Sequence, residues 1–184
     1  MNALRDKALR ARRDMSSEAR AISSEKICRR VLQSREYLSA RTMSCYLPMA
    51  DEVNPLEIIE RGWRANKRIF VPVLFGNGKM SFRELRHETT LRRNSYGIWE
   101  PETGDFISPR NLDVVLTPTV AYDDKKHRIG MGGGYYDRCF SFLRLRKRWL
   151  RPKLIGLAFS CQKVEKITPN VWDIRLYGLI SDNH

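Results

Sequence analysis

Arg128-Ile-Gly-Met-Gly-Gly-Gly-Tyr-Tyr-Asp-Arg138 reads as a glycine-rich loop between a strand and a helix. It follows a strand-like run, Leu112-Asp-Val-Val-Leu-Thr-Pro118, and leads into an apolar and basic stretch that predicts a helix from 135 to about 146. Four glycines in the five positions 130–134 leave the loop with almost no side chains. Backbone N–H groups can then approach an anion closely, and glycine tolerates the positive φ that such a cradle needs. A helix starting just beyond adds unpaired N–H donors and the positive end of its dipole. Arg128 and Arg138 bracket the loop with guanidinium forks suited to phosphate or carboxylate. Two readings stand, a phosphate cradle and a tight turn. The common phosphate motifs are excluded, because no G-K-[ST] follows the glycines. In the G-x-G-x-x-G frame from Gly130 the third glycine falls on Tyr135, and no acid lies about 20 residues beyond.

Working outward, strands and helices alternate. Met43-Ser-Cys-Tyr-Leu47 reads as the first strand, and Pro48-Met-Ala-Asp-Glu52 as the loop after it. A helix then starts with Asn54 as N-cap, Pro55 first and Glu57 third, and runs to about Ala65 with Leu56, Ile59 and Trp63 inward. This order puts Glu52 at a carboxyl end of the sheet, where open α/β sheets bind ligands; a plain loop acid is the alternative. Residues 67–74 predict a second strand, and Gly76-Asn-Gly78 a hairpin turn into 79–85. Residues 86–111 read as irregular and polar, with Tyr96-Gly-Ile-Trp-Glu-Pro101 able either to stack on a flat heterocycle or to pack the loop down. The strand at 112–118 continues through Thr119-Val-Ala-Tyr-Asp123 into the glycine loop. Residues 153–159 and 176–180 predict two more strands, with Trp172-Asp173 in a polar connection between them. On the amino-terminal side, residues 2–14 carry Leu4, Ala8, Ala11 and Met15 at helical spacing, with Arg5, Lys7, Arg10, Arg12 and Arg13 on the remaining faces. Ser16 caps a second helix, to about Ser34, whose buried stripe is Ile27, Cys28, Val31 and Leu32. The alternation predicts a single α/β domain over residues 1–184, with a largely parallel sheet, helices on both faces and a hairpin insert.

Composition narrows the function. The 184 residues are 42% hydrophobic, enough for one full core. No apolar run approaches the roughly 18 residues of a membrane helix, and the basic amino terminus lacks a signal core, so the expected location is cytoplasmic. Cys28, Cys45, Cys139 and Cys161 show no C-x-x-C spacing, which argues against a zinc site or a disulfide framework. A formal charge of +13 suits polyanionic partners: nucleic acid, an anionic membrane surface, or small ligands carrying phosphates and carboxylates. The densest basic run, 144–153, reads as a helix end and linker or as a nucleic-acid contact. His87, His127 and His184 fall in no recognisable motif, and nothing suggests a protein nucleophile.

The whole string R-I-G-M-G-G-G-Y-Y-D-R closely resembles the signature of the 5-formyltetrahydrofolate cyclo-ligases, also called methenyltetrahydrofolate synthetases. The resemblance extends from Leu4-Arg5 to Asp173 and implies the fold of the sugar-phosphate isomerase and CoA-transferase-like superfamily. It implies ATP-dependent closure of 5-formyltetrahydrofolate to 5,10-methenyltetrahydrofolate, with Mg²⁺ as cofactor and small molecules as partners. Neither membrane nor nucleic acid is then expected as a partner, and the chain is expected to act as a monomer. It further implies an ATP site of Leu4, Arg5, Arg128, Ile129, Gly130, Met131, Gly132, Gly133, Gly134, Tyr135 and Tyr136. The implied folate site takes Leu47, Glu52, Tyr96 and the loop from Met131 to Tyr135. Asp137 and Asp173 are the implied magnesium ligands, and Arg128, Tyr135 and Asp137 the implied catalytic group. From the residues alone, Asp137 reads equally as an acid complementing a helix dipole and Asp173 as an ordinary loop acid. The implied amino-terminal helix is a cationic arm over bound ATP; the rival is a solvated basic helix. The chain departs from the family pattern at Met1, where a lysine aligns, at Asn54-Pro55 in place of Asp-Thr, and at Lys126 in place of a glycine. The rival functions are a basic RNA-binding protein and an ATP-binding regulatory protein of the same fold.

Overall fold

In the computed structural model, which describes residues 2–75, 78–145 and 151–183, the chain enters through helix α1 (Asn2–Asp14). Ser16 caps α2 (Ser17–Gln33) by accepting the Ala19 N–H, and α3 (Arg35–Ser39) follows. Strand β1 (Thr42–Ser44) is shorter than expected, ending where Cys45 and Tyr46 turn into the loop. The next helix, α4 (Leu56–Arg64), buries Ile58, Ile59 and Gly62. Leu56, the first helical residue, faces solvent, and Trp63 is only partly buried against the core. Asn54 still caps it through Oδ1, which accepts the Leu56 N–H at 3.1 Å.

Strands β2 (Arg68–Leu74) and β3 (Met80–Glu84) form the hairpin insert, pairing Leu74 with Met80. Of the predicted turn, Gly76 and Asn77 lie outside the described residues; Gly78 has φ +76° and donates its N–H to Phe75. The segment expected to be irregular is ordered. It holds a small antiparallel pair, β4 (Leu91–Arg93) and β5 (Trp99–Pro101), and an edge strand, β6 (Phe106–Ile107), that joins the main sheet beside β3. These strands are two or three residues long, too short for a period-two pattern to register. After β7 (Val114–Pro118) the chain does not continue as one strand: β8 (Ala121–Tyr122) folds back on β9 (Arg128–Ile129). Helix α5 (Tyr135–Cys139) is then only five residues, followed by a 3₁₀ segment, Ser141–Leu145. Phe140 packs on Phe82 and on Phe142, and two inward rings two residues apart cannot share one face of an α-helix. Within the predicted basic run, residues 146–150 lie outside the described residues, as do Met1 and His184. Strands β10 (Lys153–Leu157) and β11 (Gly178–Ile180) complete the sheet.

The main sheet runs β11-β10-β7-β1-β2-β3-β6, parallel from β11 to β2 and antiparallel at the two insert strands. Alternate residues serve alternate faces, as the pleat demands. Met43, Ile69, Val71, Val114, Leu116, Ile155 and Leu157 join Ile27, Val31, Tyr37, Ile58 and Ile59 of α2 to α4. Phe70, Val115 and Leu154 face the other way, towards Phe140, Leu112, Ile174 and Leu176. A third cluster seats Ala8 of α1 on Val120, Ala121, Ile129 and Ile167, so the basic helix is docked rather than solvated. From β1 the chain builds outward through β2 on one side, and from β7 through β10 on the other. The loops leaving the carboxyl ends of these neighbours therefore diverge, and the crevice between them is the switch point where open α/β sheets bind ligands.

Candidate active site

A cavity of about 820 Å³ lies at that crevice, walled by the glycine loop, the loop after β1, and residues 170–173. The glycine loop owes its shape to two residues in the left-handed region, Gly132 at φ +102° and Gly134 at φ +62°. From α1, Arg5 donates Nε–H to the Gly130 carbonyl at 2.9 Å, and its guanidinium lies against Gly132. Leu4, beside it on the helix, is partly buried against the Ala8 cluster and helps seat the helix.

The two arginines that bracket the loop have separate fates. Arg128 has its side chain 5% exposed and donates Nη2–H to Asp137 Oδ1 at 3.0 Å, while its buried Nε has no acceptor among the described residues. An unpaired buried donor costs roughly 1–3 kcal/mol, and a ligand anion would relieve it. Arg138 is not a free anion fork. Its Nε and Nη2 donate to the Gly78 carbonyl at 3.1 and 3.0 Å, and Nη2 also to the Gly133 carbonyl at 2.6 Å. It straps the glycine loop to the β2–β3 turn. With α5 so short, the helix dipole adds little, and the positive field of the loop comes from its N–H groups and arginines.

Across the crevice entrance from β1, Tyr46, Leu47, Met49 and Glu52 line the cavity. Glu52 Oε2 accepts the Met49 N–H at 3.1 Å, and Arg12 Nη1 stands 4.0 Å from Oε1. Burial raises the Glu52 carboxyl above the usual carboxylate range, and the Met49 N–H and Arg12 pull it back. Tyr96, at the tip of the β4–β5 pair, meets Tyr135 hydroxyl to hydroxyl at 2.9 Å, with the rings edge-on at 6.3 Å. Tyr96 itself is exposed, whereas Ile98, Trp99 and Met131 line the space, and Tyr136 is stacked on Phe140 beneath the loop.

Asp137 Oδ1 accepts from Arg128 and from the Ile174 N–H at 3.1 Å, which ties the 170–174 connection to the glycine loop. Asp173 Oδ2 accepts the Asn170 N–H at 2.8 Å. Each carboxylate thus has one oxygen engaged and one without a donor among the described residues, and both residues line the cavity. Among the described residues no three His, Cys, Asp or Glu side chains gather as a complete metal cage. Magnesium takes one or two carboxylates and completes its shell with water and phosphate, so these two acids suit it.

Lys126, which stands in place of a family glycine, has φ +64° and keeps the left-handed turn. It compensates by donating Nζ–H to the Tyr177 carbonyl and accepting the Leu176 N–H. Arg12, expected on an outward face of the helix, is buried. The signal lay in spacing: one and two turns beyond Ala8 and Leu4, it occupies the helix's buried stripe. Trp172, Asn170 and Arg144 also line the cavity, and nothing in their local sequence marks them.

Comparison with known proteins follows the same outline. The 5-formyltetrahydrofolate cyclo-ligase family model matches residues 1–181. The 5-formyltetrahydrofolate cyclo-ligase of Escherichia coli K12 is 32% identical over 176 residues, 92% of this chain and 93% of that protein. The Haemophilus influenzae cyclo-ligase is also 32% identical, over 86% of this chain and 84% of its own length. The structure of the Aquifex aeolicus 5,10-methenyltetrahydrofolate synthetase superposes with a TM-score of 0.85 at 27% identity, covering 100% of this chain and 90% of that one.

Proposed function

The chain belongs to the 5-formyltetrahydrofolate cyclo-ligase family, and from that membership we propose how its cavity divides the work. It is an enzyme with 5-formyltetrahydrofolate cyclo-ligase activity, ATP-dependent as in the family. The chemical difficulty is the formyl oxygen, which amide resonance protects and which cannot leave as oxide. In the proposed sequence it attacks the γ-phosphorus of ATP, the bond to the β,γ-bridging oxygen breaks, and ADP departs. N10 of the folate then adds its lone pair to the formyl carbon and loses its proton. The carbon–oxygen bond breaks last, releasing phosphate and leaving the N5–C–N10 amidinium of 5,10-methenyltetrahydrofolate.

Phosphoryl transfer needs positioning and charge neutralisation more than covalent help. The loop N–H groups of 130–134, Arg5 and Arg128 are the proposed triphosphate donors, with Ile129 and Tyr136 backing the loop. Glu52 is proposed to accept hydrogen bonds from the N–H and NH₂ of the pterin, with Leu47, Met131 and Tyr96 against the flat rings. Tyr135, hydrogen-bonded to Tyr96 and next to Gly134, stands between the two halves of the site. Asp137 and Asp173 would hold Mg²⁺, which when bound supplies neutralisation of the transferring phosphoryl charge. The observation that carries the reading is a single cavity lined by both a cationic glycine loop, with the buried Arg128 Nε unpaired among the described residues, and the buried carboxyl of Glu52.

The route is tested with substrate labelled by ¹⁸O at the formyl group. Label in the released phosphate is the expected result. Unlabelled phosphate, with ¹⁸O lost to water, would contradict phosphorylation of the formyl oxygen.

A further inference from the structure

Arg12 lies on a helix of basic residues, yet it is 3% exposed. A guanidinium is buried only where acceptors wait for it. Its Nε and Nη2 donate to Asp51 Oδ2 at 3.2 and 3.0 Å, and its Nη1 stands 4.0 Å from Glu52 Oε1. Asp51 and Glu52 are consecutive, so one arginine grips both acids of the loop after β1. Glu52 lines the cavity and Asp51 does not. Two turns earlier on the same helix, Arg5 holds the Gly130 carbonyl, so α1 is fixed against the glycine loop as well.

We propose that Arg12 is a positioning residue for Glu52, holding the Asp51–Glu52 loop on α1 and keeping the Glu52 carboxylate ionised towards the cavity. The proposal rests on the reading of Glu52 as the acceptor for the pterin. Every group facing Glu52 acts on its charge. Arg12 from α1 favours the carboxylate, as does the Met49 N–H of its own loop; Asp51, itself 3.7 Å from Arg13, opposes it. Tyr46 after β1, buried, and Tyr136 of α5, partly buried, are neutral neighbours, and the Arg128 guanidinium lies over the Tyr136 ring. Burial works against the charge and Arg12 works for it, so removing Arg12 must raise the Glu52 pKa, whereas neutralising Asp51 must lower it. Binding that needs the carboxylate weakens as pH falls through that pKa.

The test is calorimetric titration of the full chain with 5-formyltetrahydrofolate, without ATP, from about pH 5 to about pH 8. Glu52→Gln is expected to abolish the acid limb of binding. Arg12→Gln is expected to move that limb up by about one pH unit, with Arg12→Lys restoring most of it, and Asp51→Asn to move it down. A merely structural arginine would not give shifts of opposite sign. If Glu52→Gln abolishes the limb while the Arg12 and Asp51 variants leave it at its wild-type position, Arg12 does not position Glu52 and the role of Glu52 survives. If Glu52→Gln keeps both limb and affinity, the pterin role fails, and the proposal with it. Should Arg12→Gln not fold, Asp51→Asn decides alone: an unmoved limb, or one moved up, overturns the proposal.

Discussion

Arg128 and Arg138 are equivalent in the sequence, each two positions outside the string Gly130–Tyr136, yet of the two it is Arg128 whose buried Nε has no partner among the described residues. What separates them is a contact distant in sequence, the Gly78 carbonyl that Arg138 takes. Residue types therefore made the cationic character of the loop legible, and tertiary contacts decided how it is spent. Asp137 raises the same question, because holding Arg128 and the Ile174 N–H would be reason enough for it to be there. Asp137→Asn keeps an oxygen for both donors and removes the charge. We expect Tm without ligand to fall by no more than about 4 °C, roughly 1 kcal/mol for a domain of this size. At saturating ATP, kcat should fall at least about a hundredfold, with partial rescue by excess Mg²⁺. Normal turnover with a lower Tm would make Asp137 a tie between two segments and nothing more.

At the scale of elements, the parallel strands were legible because each is an apolar run bounded by turn residues. The helix after the glycine loop was not, since its apolar content reads as an amphipathic helix until Phe140 and Phe142 are seen packing against each other. The strands of 91–107 were hidden by their length. The glycine loop itself was read correctly as a loop between a strand and a helix, and its backbone shape explains a sensitivity within it. A Cβ on Gly133 would come within 2.9 Å of the Tyr135 ring, a movable side chain rather than backbone. Gly133→Val should therefore leave the fold and Tm nearly intact while displacing Tyr135 from Tyr96 and crowding the loop N–H groups. The apparent KM for ATP is expected to rise at least about tenfold in steady-state kinetics. Unchanged kinetics in the folded variant would remove the loop from the phosphate site.

For the molecule as a whole, topology brings the two loops together. β1 and β7 are neighbours from which the chain departs in opposite directions, so Glu52 and Gly130–Gly134, far apart in sequence, line one crevice. Strand and helix order alone put Glu52 at a carboxyl end, but its meeting with α1 through Arg12 depends on how the first helix docks, which periodicity cannot give. The charge of +13 suits two polyanionic substrates, and no helix among the described residues is long and apolar enough to cross a membrane. One crevice binding both substrates and joining them through a phosphoryl transfer is the central claim. Its most direct test follows the absorbance of methenyltetrahydrofolate with the purified chain, adding 5-formyltetrahydrofolate, ATP and Mg²⁺ in turn. Product is expected only when all three are present, with one ADP released per methenyl group formed. Product without ATP, or ADP release that does not depend on the folate, would contradict it.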